Sequence, residues 1–336
     1  MKSIKIDNSL STLIKKIRTL VEGARANVAR NINKEILQTY WQVGKHIVEY
    51  EQKGKIKAAY GKQLLINLSK ELSLELGKGF SRSNLTYMRL FYLRFPKSET
   101  VSHQLSWSHY FELLKIDDEL ERNFYQQQSV KESWSVRELK RHKASALFHR
   151  LALSKDKKGI LTLVKKGHII ESDTDIVKDP YVLEFLNIPE KHRYSEKELE
   201  QKIIDNLQEF LLELGKGFAF IGRQYRVTLN NKHYRIDLVF YHRILKCFVL
   251  IDLKINDVEH HDIGQMNMYL GYFETELNVS GDNPPVGIIL TAEKDSVMVE
   301  YAMHGISNKI FVSKYQLYLP DKKLLQKKVQ EILDND

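Results

Sequence analysis

Two apolar runs, residues 233–241 and 247–254, fill most of the stretch "YRIDLVFYHRILKCFVLIDLKI" (Tyr234 to Ile255), and both have the length and side-chain types of strands. Each carries charge where a buried strand should carry none: Asp237 near the start of the first, Asp252 and Lys254 at the end of the second. A hairpin whose turn is centred between Ile244 and Leu245 sets Asp237 opposite Asp252 and Arg235 opposite Lys254. One face then holds Ile236, Leu238, Phe240, Val249, Ile251 and Leu253, and the other gathers the charges at one end. Ile-Leu is poor turn chemistry, so this register is open to slippage. Two carboxylates opposed at about 5 Å repel by roughly 3 kcal/mol at an effective dielectric near 20. A protonated acid, a lysine or a divalent cation has to offset that, and Mg²⁺ takes one or two carboxylates together with water and phosphate.

The segment before these strands offers a third acid. Ser195 and Glu198 form a capping-box sequence that opens a helix running to about Leu214, with Gly215 and Gly217 to end it. On its wheel Leu199, Ile203, Ile204, Leu207, Phe210, Leu211 and Leu214 make one stripe, and Glu200 falls inside it. An acid on a core-facing stripe is costly unless paired or coordinated. Salt bridges to Arg223, Arg226 or Arg235 are the alternative to a metal role. Strands at 218–229 and 286–291 and near 310–313, a turn at Asn230-Asn231, helices at 259–273 and near 296–303, and a last helix from Lys322 complete an α/β pattern.

The first half reads differently. Helical periodicity runs from Ser9 to about Tyr50 and recurs around 58–76, 83–95, 105–130 and 136–151, with Gly77, Gly79 and Pro96 as breaks and a second capping box at Ser135 and Glu138. Residues 1–155 carry 28 Lys and Arg against 15 Asp and Glu, a net of +13, whereas residues 156–336 are net −4. Basicity confined to one half suits a polyanionic partner, and a solvated basic surface is the other reading. Within it, a helix, a glycine-containing turn and a second helix put Arg82, Thr86 and Arg89 on one face, as a recognition helix or as an ordinary helix pair with a wet face. Arg137, Lys140, Arg141 and Lys143 mark a second basic helix. Trp41, Trp107 and Trp134 suit a core better than a base-stacking platform.

The expected organisation is a helical, basic, nucleic-acid-binding domain over 1–153, a linking and docking segment over 154–189, and an α/β domain over 190–336. The one cysteine, Cys247, excludes an intrachain disulfide, and no run of 18 apolar residues is present. A cytoplasmic protein with no membrane partner is the expectation.

Asp237 followed by Asp252-Leu253-Lys254 resembles the core of the PD-(D/E)XK nucleases. "SEKELEQKIIDNLQEFLLELGKGFAFIGRQYRV", "HHDIGQMNMYLGYF" and "NPPVGIILTAEKDSVMVEYAM" are similar to blocks of the bacterial YhcG family of PDDEXK nuclease-domain proteins. So are "LGKGFSRSNLTYMRLFYLRFP", "QLSWSHYFELL" and "SWSVRELKRH", so the resemblance covers nearly the whole chain. It implies a two-domain α+β protein: an N-terminal all-helical, helix-turn-helix-like domain, and a C-terminal restriction-endonuclease-like domain with a mixed sheet. It implies Mg²⁺- or Mn²⁺-assisted phosphodiester hydrolysis. Asp237 and Asp252 would be metal ligands with the Leu253 carbonyl, Glu200 would sit beside them, Lys254 would orient water or stabilise charge, and Gln265 would flank the site. Arg82, Arg89, Arg137, Lys140 and Arg141 would contact nucleic acid, DNA before RNA, and protomers would pair as in many related nucleases. The family usually has glutamate where Asp252 stands.

Two other functions remain open at this stage: a non-catalytic DNA-binding protein on a degenerate nuclease fold, and an RNA-processing nuclease. Adjacent His260 and His261 diverge by 100° on a helix and have no CxxC or HExxH company, which argues against zinc. Serine or cysteine nucleophile motifs, P-loops and GxGxxG loops are absent.

Overall fold

The computed structural model describes residues 8–53, 58–97, 101–189, 193–293, 299 and 309–334. The chain forms two compact units. One comprises Met1–Arg122 with Ser133–Leu139, and the other Asn123–Glu132 with Lys140–Asp336.

The first unit is helical. α1 (Asn8–Lys53), α2 (Ala58–Leu76), α3 (Arg82–Arg94) and α4 (Trp107–Leu113) follow one another, with a 3₁₀ turn at Lys78–Phe80. Gly77 has φ 87°, a left-handed conformation that ends α2. Ser81 caps α3, its Oγ accepting from Asn84 N. α1 and α3 meet around Ile47, Leu65, Leu85 and Met88, and they approach so closely that a β-carbon on Gly44 would stand 2.0 Å from Met88 O. Trp41 is buried and donates to Phe95 O at 2.6 Å, and Trp107 donates to Asn84 Oδ1 at 2.9 Å. Among the described residues no helix is long and apolar enough to cross a membrane.

The helix expected at 105–130 is two helices, α4 and α5 (Glu119–Glu132), separated by residues 114–118, the last of which, Asp118, accepts from Glu121 N at 2.6 Å through its carboxylate. The helix expected at 136–151 also divides, into α6 (Val136–Ala144) and α7 (Leu147–Ala152), because Ala146 turns to φ 51° between them.

In the second unit, residues 154–189 contain α8 (Lys157–Lys166), capped by Asp156, and a short strand β1 (Tyr181–Val182) whose side chains are buried. The capping box at Ser195 opens α9 (Glu196–Asp205), and the chain then bends at Asn206 into α10 (Leu207–Leu214) instead of running on as one helix. The strands are β2 (Phe218–Leu229), β3 (Lys232–His242), β4 (Cys247–Lys254), β5 (Val286–Thr291) and β6 (Ile310–Gln316). Their order in the sheet is β1-β6-β5-β4-β3-β2, antiparallel from β2 to β4 and parallel from β4 onward. The sheet is therefore mixed. Asn230 and Asn231, both at positive φ, close the β2–β3 hairpin. α11 (His260–Tyr272) lies between β4 and β5, and Lys322–Asp334 is the last helix. The helix expected near 296–303 lies outside the described residues, apart from Val299.

The β3–β4 ladder pairs Leu238 with Ile251 and His242 with Cys247, which is the register that sets Asp237 opposite Asp252. Four residues, not two, make the turn. Lys246 adopts φ 50°, Leu245 N donates to His242 Nδ1, and Asn283 reaches in to Leu245 O, so side chains hold a loop whose own sequence is a poor turn. Leu238, Phe240, Val249, Ile251 and Leu253 pack with Leu199, Ile203, Phe210 and Leu214 of α9 and α10. The opposite face, with Val239 and Leu250, packs on Ile263, Met266, Tyr269 and Leu270 of α11. Ile236 departs from the expected face and joins this second cluster; it pairs with Tyr225, next to Gln224 at φ 47°, and the β2–β3 register shifts between Phe220 and Gly222.

Candidate active site

Hairpin register and one helix face bring the three acids together. Glu200 is buried on α9, Asp237 is half-buried on β3, and Asp252 is buried on β4. Asp237 Oδ2 accepts from Leu253 N at 2.8 Å, which ties the two strands at their charged end. On the other side Gln224 Nε2 donates both to Glu200 Oε2 at 2.7 Å and to Asp237 Oδ1 at 3.0 Å. Burial, with the Asp252 charge beside it, pushes the Asp237 carboxyl up to about 7. Burial also raises Asp252, and Lys254 partly opposes this. Like charges held together out of water favour the protonated form, or a cation between them.

Lys254 Nζ stands 3.1 Å from Asp252 Oδ2 and 3.1 Å from Asp262 Oδ1. Burial disfavours its charge, yet these carboxylates hold its ammonium above its ordinary range. Asp262 is itself fixed: its Oδ2 accepts from Glu259 N at 2.9 Å, as a reciprocal cap at the start of α11. His261 has Nδ1 3.2 Å from Glu259 Oε2 and Nε2 3.3 Å from Asp262 Oδ1 at the start of α11. Gln265 donates to the Tyr269 hydroxyl, and that hydroxyl donates to Arg235 O at 3.0 Å. The glutamine is thereby linked to β3 two residues before Asp237.

A cleft of ≈ 750 Å³ opens beside the acids, lined by Glu200, Gln224 and Asp237 together with Lys197, Arg223 and Arg235. Arg223 is exposed and donates to Gln201 Oε1 at 2.9 Å, and among the described residues none of Arg223, Arg226 and Arg235 forms the salt bridge to Glu200 that was the alternative reading of that acid.

The donor chemistry fits a small divalent cation. Glu200 Oε2 and Asp237 Oδ1 converge on one NH₂ group, every donor is oxygen, and Asp252 beside them shares Lys254 with Asp262. Among the described residues no group of three His, Cys, Asp or Glu side chains already converges as a full ligand set. A neutral oxygen, water or substrate would have to complete it.

The basic residues of the first half divide by setting. Arg82, Arg137 and Lys140 are exposed. Arg89 is turned onto Glu51, Nε to Oε2 at 2.7 Å, and so helps to hold α3 on α1. Arg141 is turned into the protein, where it donates to Val182 O at 3.0 Å, pairs with Glu184 at 3.2 Å and lies over the Phe185 ring.

Sequence reasoning missed Gln224 and Asp262. Hairpin arithmetic could have found the first, since the Asn230-Asn231 turn sets residue 224 against 237. The spacing of an acid at the third helical position behind Glu259 pointed to the second.

Residues 16–150 match the sequence family described as the DUF1016 N-terminal domain, and residues 174–330 match the YhcG PDDEXK nuclease domain. The Escherichia coli (strain K12) protein named "Putative nuclease YhcG" is 38% identical over 340 residues, which is 91% of this chain and 90% of that one. Solved structures give fainter likenesses. A repair endonuclease from Pyrococcus abyssi aligns with TM-score 0.28 and 18% identity over 39% of this chain and 50% of its own. A complex of EndoMS with double-stranded DNA aligns with TM-score 0.26 and 16% identity over 40% and 50%. This chain thus spans about half the length of those two structures. With both family regions in order along one chain, and with more than a third of its residues identical to a relative across nine-tenths of both, this protein belongs to the YhcG family of PDDEXK nuclease-domain proteins.

Proposed function

We propose that the protein is a metal-dependent nuclease that hydrolyses phosphodiester bonds, with DNA as the first substrate to test. The observation that carries this reading is that Glu200 and Asp237 line a cleft that also presents Arg223 and Arg235, with the Asp252–Lys254 pair on the strand beside Asp237. Asp237, Asp252 and Glu200, with the Leu253 carbonyl, would hold Mg²⁺ or Mn²⁺. When bound, that ion supplies a Lewis acid for the phosphoryl oxygens and lowers the pKa of a water.

The chain's own groups do the rest. Lys254, kept charged by Asp252 and Asp262, cannot serve as a base at neutral pH, so its part is to orient the attacking water and stabilise charge gathering on phosphorus. Arg223 and Arg235 would bind flanking phosphates as exposed cations at the cleft. Gln265, through Tyr269, holds the backbone of Arg235 and thereby the approach of β3 to the site. In the first half Arg82, Arg137 and Lys140 would add sequence-independent phosphate contacts, while Arg89 and Arg141 serve folding.

The test is cleavage of supercoiled, linear, branched and single-stranded DNA and of RNA, with Mg²⁺, Mn²⁺ or EDTA, by wild type and Asp252→Ala. Metal-dependent cleavage lost in the variant supports the reading, and the preferred substrate identifies the nucleic acid. Absence of cleavage by the folded wild type, with salt-sensitive binding kept, favours the non-catalytic alternative. Cleavage that survives Asp252→Ala overturns the site.

A further inference from the structure

Gln224 is where β2 breaks its own rules. It has φ 47° inside a strand, a left-handed conformation that a residue with a side chain adopts only when its surroundings insist, and regular pairing flanks it at Arg223 with Leu238 and at Tyr225 with Ile236. The irregularity delivers one amide to one place. Its Nε2 lies 2.7 Å from Glu200 Oε2 and 3.0 Å from Asp237 Oδ1, and it joins an acid of a helix to an acid of a strand.

Two carboxylate oxygens that share one NH₂ group converge on a single point in space. A divalent cation needs the same convergence, with oxygens on all sides, and the acids present do not complete a set of three. A glutamine amide has a donor and an acceptor on the same planar group, and a half-turn about its last torsion exchanges them within almost the same volume.

Resting on the cation-binding reading above, we propose that Gln224 serves the site in two states. In the free protein its NH₂ joins Glu200 to Asp237. When a divalent cation takes the place of that NH₂ between the two acids, the amide turns and Oε1 becomes a further protein oxygen on the ion. Its role is to keep the two acids satisfied without metal and to complete their ligand set with it.

The test is Mn²⁺ titration of the full chain by calorimetry, without nucleic acid, for wild type, Gln224→Met, Gln224→Glu and Asp237→Asn, with folding checked by circular dichroism. Methionine keeps the side chain's length and removes its oxygen, so Gln224→Met is expected to bind Mn²⁺ about tenfold more weakly. Affinity equal to or tighter than wild type in that variant overturns the proposal, because the amide would then be a placeholder only. Should Gln224→Met fail to fold, Gln224→Glu decides. Binding about tenfold tighter, with a lower melting temperature in EDTA, supports the proposal, and unchanged or weaker binding overturns it. Asp237→Asn separates the two readings: if it binds as wild type does, the cation site itself is misplaced, whereas loss there beside unchanged Gln224→Met rejects Gln224 alone.

Discussion

Asp262 Oδ1 stands 3.1 Å from Lys254 Nζ, the same distance that separates Lys254 from Asp252. One lysine is thus held between an acid proposed as a metal ligand and an acid that caps a helix. Asp262→Asn keeps the cap geometry and removes half of that hold. The expected result is a fall of about tenfold in the cleavage rate constant at saturating substrate, with Mn²⁺ affinity unchanged. Loss of Mn²⁺ affinity in step with rate would assign Asp262 to the ion instead.

Arg82 is exposed at the first position of α3, whereas Arg89 on the same helix is paired with Glu51. Arg82→Ala is expected to lower the slope of log binding constant against log salt by about one and to leave thermal stability alone. Arg89→Ala is expected to do the converse, costing about 1 kcal/mol of stability, with little change in salt slope. Fluorescence anisotropy over a salt series and a thermal melt of each variant check both.

Through its buried histidines acid should weaken the second unit below about pH 6.5, while Asp237, pushed up to about 7, takes up its proton in the folded state and opposes them. Burial depresses His142 to about 3 and His149 to about 4, against an ordinary histidine near 6.5. His142 is lowered further by Lys178, Arg141 and Arg150, and Glu213 opposes them. These folded values lie below the unfolded one, so between about pH 6.5 and 4 the unfolded chain binds more protons and stability falls as pH falls. Above 6.5 both states hold neutral rings and the contribution is complete. Urea unfolding from pH 7.5 to 4.5 should show His149→Gln losing less stability below 6.5 than wild type, the Asp237 contribution being common to both. An unchanged slope in that variant would remove His149 as a cause.

Gly44→Ala tests the contact of α1 with α3. The added methyl would meet the Met88 carbonyl carbon at 2.7 Å and its oxygen at 2.0 Å, both backbone atoms that cannot swing aside. A loss of about 1–3 kcal/mol in chemical denaturation is expected, as for overpacking elsewhere.

The hairpin that builds the site was legible because side-chain alternation and register are arithmetic. Strands 218–229, 247–254 and 286–291 run over the residues expected of them, and Asp237 meets Asp252 as counted. What escaped were breaks with no local mark. Ala146 reaches φ 51° without glycine or proline, while just before it Ser145 O accepts from Arg150 Nε and just after it Phe148 N donates to the Tyr125 hydroxyl. Gln224 looked like any polar residue on a strand's wet face, because its meaning lies in a helix residue 24 positions away. Arg141 read as part of a basic face because nothing local announces that Val182 and Glu184 will claim it.

Glu213 is 1% exposed and accepts from Arg150 at 2.7 Å and from Val182 N at 3.0 Å, while Arg150 also donates to Pro180 O at 2.7 Å. That cluster pins β1 to the outer edge of β6. It therefore governs where the polypeptide can be cut. A piece starting at residue 190 would lose Arg141, Arg150, Lys178 and β1 together, leaving a carboxylate in apolar surroundings with no counter-ion and a bare strand edge open to pairing with other molecules. Such a piece should go to inclusion bodies, whereas one starting at or before Asn123 keeps both the cation and the cover.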